Sequence, residues 1–68
     1  MKEVLRTQDL GHAYLLRAAL EAAGIDAVVH GDMGATILGG GVMLLVLDDA
    51  DLPDALAVVS EVEGRGSQ

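Results

Sequence analysis

Two histidines are the residues in this sequence best suited to metal binding or acid–base chemistry. His30 stands two positions before Asp32, and His12 lies much earlier in the chain. A metal site needs three or four converging ligands, yet the chain has no cysteine and no HxxxH or HExxH spacing. His30 is therefore interpreted as a polar, outward-facing residue at the end of a strand. We predict no metal and no other cofactor.

A run of three glycines, Gly39–Gly41, is a second candidate, because consecutive backbone N–H groups can form a nest for an anion. The run lacks the Lys and Ser/Thr of a phosphate-binding loop and leads into a strand rather than a helix. A flexible connection is therefore favoured. Binding of a small molecule near a subunit interface is kept as an alternative, and its candidate loop residues are Gly34, Gly39, Gly40 and Gly41.

Four aspartates follow the most apolar segment of the chain and could suggest a calcium site. The EF-hand spacing, its internal glycine and its closing glutamate are all missing. Negative side chains also interact favourably with the N-terminal end of a helix dipole. The cluster is therefore interpreted as the acidic start of a helix, and its members are Asp48, Asp49, Asp51 and Asp54.

Hydroxyl side chains are the remaining candidates for catalysis. A nucleophile needs a base within hydrogen-bond reach, and the sequence reveals none beside Thr7, Thr36 or Ser60. We therefore predict that the protein is not an enzyme. An enzyme with an active site shared across a subunit interface, using His12 or His30, is kept as a further alternative.

The elements that position these residues are organised around the segment DLGHAYLLRAALEAAG, residues 9–24. Asp9 can cap the free N–H groups of a first helical turn. Gly24 stands where a helix end commonly requires a positive φ. Apolar residues recur between them at the three-and-four spacing of one helix face, namely Ala13, Leu16, Leu20 and Ala23. The segment therefore predicts an amphipathic helix.

Strand patterns surround this helix. Residues 2–7 favour a first strand. Residues 25–30 predict a second, because Ile25, Ala27 and Val29 form one clearly apolar face opposite Asp26, Val28 and His30. Residues 42–47, VMLLVL, are apolar on both faces, as in a central strand. Helical spacing then extends from residue 52 to residue 63, and Gly64 is expected to end that helix.

The element order β-α-β-β-α predicts an α+β, ferredoxin-like fold. A right-handed crossover makes strands one and two parallel, and strand three inserts between them in the order 1-3-2. Both helices then lie on one face of a three-stranded sheet, and the fourth strand of the ferredoxin-like fold is absent. We predict one domain over residues 1–63 and a flexible C-terminal tail over residues 64–68.

Composition limits the function further. Sixty-eight residues allow only a small core, yet 51% are hydrophobic and the mean hydropathy is +0.43. Such an apolar small chain is expected to cover part of its surface by self-association. The net charge of −7 disfavours nucleic acid. With no apolar signal core and no segment long enough to span a bilayer, a cytoplasmic location without membrane contact is expected.

The segments LLRAALEAAGIDAVV and VMLLVLDDADLPDALAVV resemble a family of small bacterial proteins described as prokaryotic signal-transducing proteins. The likeness covers about residues 4–59, and its marks are Leu16, Leu20, Glu21, Ala22, Gly24, Ile25, Val46, an acidic run and Ala55. Met43 and Leu45 depart from the family pattern, which has polar residues there. The resemblance implies a fold similar to the PII-type nitrogen regulators and a signalling role, without naming a ligand.

We therefore predict a small regulatory binding module that acts through protein–protein contacts and forms a homodimer or a higher homo-oligomer. An unidentified protein partner is also expected. Alternation along strand three separates Val42, Leu44 and Val46 from the side chains between them, and the family resemblance implies that these three point towards the helices. The opposite face of the sheet is the predicted interface, and its residues are Val28, Met43, Leu45 and Leu47.

Overall fold

A computed structural model describes residues 1–31 and 41–66 of the chain. These residues form three strands and two helices: β1 (Lys2–Thr7), α1 (Leu10–Ala22), β2 (Ala27–His30), β3 (Val42–Val46) and α2 (Leu52–Gly66). A 3-10 turn, Asp49–Asp51, immediately precedes α2. In this part of the chain, no helix is long and apolar enough to cross a membrane.

The turn from β1 into α1 is held by two side-chain hydrogen bonds. The Asp9 carboxylate accepts from the His12 backbone N–H at 3.1 Å, and the Thr7 hydroxyl accepts from the Asp9 N–H at 3.1 Å. The first bond satisfies one of the N–H groups that a helix leaves unpaired in its first turn. Asp9 is therefore the N-cap that the sequence predicts.

The C-terminal end of α1 is a Schellman motif. Gly24 has φ +82°, and its N–H donates to the Glu21 carbonyl at 3.0 Å. The Ile25 N–H donates to the Leu20 carbonyl at 2.9 Å. Leu20 and Ile25 are both buried in the core, which is the apolar contact that usually accompanies this motif. The predicted positive φ at Gly24 is confirmed.

The sheet has the strand order β1-β3-β2, with β3 antiparallel to both neighbours. β1 and β2 are therefore parallel to each other, as a right-handed crossover through α1 requires. The three strands and two helices confirm the predicted ferredoxin-like α+β arrangement. Among the described residues the sheet stays open, with β1 and β2 as its edges.

The core lies between one face of the sheet and the two helices. α1 contributes Leu16 and Leu20, α2 contributes Ala55 and Val59, and β3 contributes Leu44 and Val46. None of these six side chains is more than 6% exposed. Because every element except the short turn reaches this cluster, the helices and the sheet are stabilised by the same apolar contacts.

Three element boundaries differ from the predictions. β2 begins at Ala27 rather than at residue 25, because the Ile25 N–H is already bonded to the end of α1. β3 ends at Val46, although one further bond joins the Leu47 N–H to the Asp26 carbonyl at 3.1 Å. These two differences leave the sheet topology unchanged.

The third difference is at the end of α2. The prediction that Gly64 ends this helix is wrong, because the helix continues to Gly66 and includes three residues of the predicted tail. A glycine inside a helix costs about 1 kcal/mol relative to alanine but does not forbid the helix. The chain therefore passes through Gly64 without the positive φ that marks the end of α1.

Gly24 and Gly64 offer a matched test of the α1 terminus, because a Cβ added at either position meets nothing within 4 Å. Gly24→Ala should lower the free energy of unfolding by about 1 kcal/mol or more, since φ +82° is strained for a residue with a Cβ. Gly64→Ala should raise it by up to about 1 kcal/mol. Chemical denaturation measures both. Equal effects of the same sign would show that the α1 terminus does not require a glycine.

Candidate functional site

The central strand β3 presents its two faces to different surroundings. Val42, Leu44 and Val46 are buried towards the helices, at 2%, 0% and 0% exposure. The intervening side chains, Met43 and Leu45, point to the opposite side of the sheet and are half-buried. The structure therefore places these five residues on the faces that the family resemblance implies.

The uncovered side of the sheet, called the open face from here on, is a grid of two rows and three strands. Register across β3 fixes the rows, because paired residues of an antiparallel ladder project to the same side. The first row contains Glu3, Leu45 and Val28, and the second contains Arg6, Met43 and His30. The two rows place apolar side chains on β3, charged ones on β1, and one apolar and one polar side chain, Val28 and His30, on β2.

A β-bulge in β1 puts two opposite charges on the open face. Glu3 and Arg6 are three positions apart, so a regular strand would direct them to opposite sides of the sheet. The register shifts between Glu3 and Leu5, which leaves Val4 without its own partner on β3. Glu3 and Arg6 consequently project to the same side, and Val4 and Leu5 both pack against the core.

Arg6 connects the two rows. Its Nη2 atom lies 3.6 Å from the Glu3 carboxylate and donates to the Met43 sulfur at 3.1 Å. The guanidinium therefore contacts the edge of the apolar centre, while 56% of the Arg6 side chain stays exposed to water. Glu3 and Arg6 contribute opposite formal charges, so this face is close to neutral on a chain of net charge −7.

The two edges of the sheet are poor templates for strand addition. β1 carries the bulge and the charged residues Lys2, Glu3 and Arg6, and β2 is only four residues long. Bulges, charged side chains and short strands are the usual devices that prevent pairing at an exposed edge. Neither edge of the sheet is therefore suited to pairing with a further strand.

Leu47, the fourth residue of the predicted interface, lies beyond the β3 ladder and is 46% exposed. Strand alternation places it on the same side as Met43 and Leu45. Its N–H is bonded to the Asp26 carbonyl, which fixes its backbone beside the start of β2. Leu47 thus extends the apolar centre of the open face towards one end.

The predicted ligand loop is only partly described. Gly34, Gly39 and Gly40 lie outside the described residues. Gly41 has φ +74°, and a Cβ added there would lie 2.8 Å from the Thr7 carbonyl oxygen. Gly41 is therefore required for the close approach of the chain to the end of β1.

The two histidines are not brought together. His30 is exposed on the open face, and Asp32 lies outside the described residues. His12 lies on the helix side of the sheet, where its Nε2 atom is 3.6 Å from the Glu63 carboxylate. Within residues 1–31 and 41–66, no three His, Asp or Glu side chains are grouped so that they could hold a metal ion.

The acidic segment before α2 forms hydrogen bonds that stabilise the local structure. The Asp48 carboxylate accepts from the Ala50 N–H at 3.0 Å and caps the 3-10 turn. The Asp49 carboxylate accepts from the Met1 ammonium at 2.6 Å, and this hydrogen bond is the main reason that the pKa of Asp49 is lowered. The Asp48 contact therefore agrees with the predicted role at a helix start, whereas the Asp49 contact holds the N-terminal ammonium.

A shallow groove between the helices was missed by the sequence analysis. It has a volume of about 340 Å³ and is lined by Ala19, Ala22, Ala23, Val58, Glu61 and Val62. Among the side chains that the structure describes, the Glu61 carboxylate is the one charged group in this lining. A binding site usually needs several converging polar groups to orient a ligand. The three small residues at helical spacing on α1 are the only sequence signal of this groove.

These placements make a prediction about metal ions. Zinc or nickel at modest excess should leave the Tm unchanged, because His30 lacks two further ligands among the described residues. A bound metal at 100 times its Kd would instead add about 2.7 kcal/mol to the free energy of unfolding. Thermal melts with and without metal measure this. A reproducible stabilisation that disappears in His30→Ala would contradict the prediction.

Comparison with known proteins supplies the last observation. A family model described as "Putative prokaryotic signal transducing protein" matches residues 1–63. No curated protein and no solved structure matches the chain. The matched region contains all three strands, α1 and most of α2. The chain therefore belongs to this family of prokaryotic signal-transducing proteins.

Proposed function

We propose that this protein is a small regulatory module that acts through protein–protein contacts and self-association, with the open face as its contact surface. One observation carries the proposal: Val28, Met43 and Leu45 form an apolar centre that no element of the described chain covers. The family description, which names signal transduction, supports a regulatory role over a catalytic one.

The chemistry of the open face suits a contact. Its apolar centre is bordered by Glu3 and Arg6 on one edge strand and by His30 on the other. Protein interfaces commonly combine such a centre with a polar rim. Removing one leucine side chain from water stabilises a complex by about 1.5–3 kcal/mol. In a twofold dimer this contribution is made by both subunits, because each uses the same surface.

Two neighbouring leucines of β3 separate association from folding. Leu45→Glu should give a folded protein of smaller mass at high concentration, because the new charge lies on the open face. Leu44→Glu should unfold the domain, because it places a charge where the native side chain is 0% exposed. Light scattering measures the mass, and circular dichroism measures folding.

Two outcomes would contradict this assignment. A monomeric wild-type protein at millimolar concentration would remove self-association from the proposal. A Leu45→Glu variant that keeps the mass of the wild type would show that the subunits meet elsewhere, for example at the exposed Leu15 of α1.

A further inference from the structure

We propose that the open face binds the open face of a second copy in one specific orientation, with Glu3 of each copy paired to Arg6 of the other. This inference rests on the proposed function, because it assumes that the open face is the contact surface. It adds the relative orientation of the two copies and the axis that relates them. The argument comes from the register of the sheet.

The two rows of the grid exchange under one rotation. The midpoint between Met43 and Leu45 on β3 is Leu44, which pairs with Leu5 on β1 and with Val29 on β2. The axis in question is parallel to the plane of the sheet, perpendicular to the strands, at the level of Leu44 and midway between two facing sheets. A twofold rotation about it places the Leu45 row of each copy over the Met43 row of the other. Each strand then faces its own copy.

This rotation pairs apolar side chains on β3 and opposite charges on β1. Leu45 faces Met43 of the second copy, and Val28 faces His30 of the second copy. Glu3 faces Arg6 of the second copy, and this contact occurs twice. Packed sheets lie about 10 Å apart, a distance that extended Glu and Arg side chains can bridge together. With the pair already present in each subunit, four charges of alternating sign then lie next to one another.

The other simple twofold axis, which runs along the strands, gives a poorer contact. It would place β1 of one copy over β2 of the other, so that Glu3 faces Val28 and Arg6 faces His30. A carboxylate against an apolar side chain loses water without gaining a partner. The arrangement of charges therefore selects the axis across the strands.

Net charge also favours this face for a contact between identical chains. Each copy carries −7, so two copies repel each other over most of their surface. The two rows of the grid contain one residue of each sign, Glu3 and Arg6, and thus add no net charge to the contact. Asp26, which alternates in phase with Val28 and His30, adds a negative charge only beyond the grid, beside Leu47. A face that is neutral and self-complementary fits a second copy better than it fits a strongly charged partner.

The size of the face predicts a weak complex. Three strands 4.8 Å apart and five residues long cover about 14 by 17 Å. Two such faces bury well under the roughly 1,200 Å² of a standard stable interface. We therefore expect a transient, concentration-dependent dimer with a Kd in the micromolar range or above, which is suited to a regulatory contact.

Charge reversal tests the orientation. In a dimer of Glu3→Arg, the new arginine of each copy faces Arg6 of the other. In a dimer of Arg6→Glu, the new glutamate of each copy faces Glu3 of the other. Each variant should therefore self-associate more weakly by about tenfold or more. An equimolar mixture of the two variants restores both ion pairs between unlike subunits. It should therefore form a heterodimer with a Kd within about threefold of the wild-type value. The double variant should also regain the homodimer. Analytical ultracentrifugation measures every Kd, and thermal melts verify folding.

Two comparisons exclude simpler explanations. Glu3→Arg changes the net charge of each subunit from −7 to −5. The smaller repulsion between subunits would by itself strengthen the dimer. A weaker dimer must therefore result from loss of the Glu3–Arg6 pair between the copies. Lys2→Glu is the matched control for Arg6→Glu, because it makes the same change of charge on the same strand. Lys2 pairs with Val46 and lies on the other side of the sheet. This control should change the Kd by less than about threefold.

The outcomes distinguish this inference from the proposed function. If Leu45→Glu abolishes the dimer while the single reversals leave it intact, the paired orientation is wrong and the contact surface stands. If the single reversals weaken the dimer and their mixture forms no heterodimer, the pair acts only within a subunit, and the orientation is again wrong. If the wild type never associates, both proposals fail.

Discussion

Both helices pack against the same face of the three-stranded sheet, and the rest of the structure depends on this arrangement. Leu44 and Val46 of β3 are fully buried against α1 and α2. Met43 and Leu45 alternate with them and necessarily project to the other side. A chain of 68 residues supplies no further element in its described part to cover that side. The location of the core, the apolar centre of the open face and the proposed self-association all follow from this constraint.

A single irregularity in β1 determines the character of that face. In a regular strand, either Glu3 or Arg6 would project towards the core, where an unpaired charge costs several kcal/mol. The bulge at Val4 turns both charges outward and turns two apolar residues, Val4 and Leu5, inward. The same bulge weakens β1 as a template for strand addition. One local distortion therefore supports the core, protects the edge and gives the open face its pair of charges.

Features that depend on local chemistry could be predicted from the sequence. The cap at Asp9 and the positive φ at Gly24 follow from neighbouring residues alone. Alternation along β3 separates its two faces, but both are apolar, so the family resemblance was needed to assign one of them to the helices. The bulge could not be predicted, because residues 2–7 contain no Gly or Pro and the irregularity appears only in pairing with β3. The end of α2 could not be predicted from Gly64 alone either. Glycine permits a helix end, but here the neighbouring residues of α2 keep the helical conformation to Gly66.

Backbone amide chemical shifts recorded through a dilution series test the central claim most directly, because they locate the contact in the unmodified protein. The account predicts concentration-dependent shifts at Val28, Met43 and Leu45. It predicts constant shifts at Leu15, which is 58% exposed on α1 and offers a competing apolar surface. Shifts confined to α1, or no change between micromolar and millimolar protein, would contradict the claim that the open face is the surface through which this protein acts.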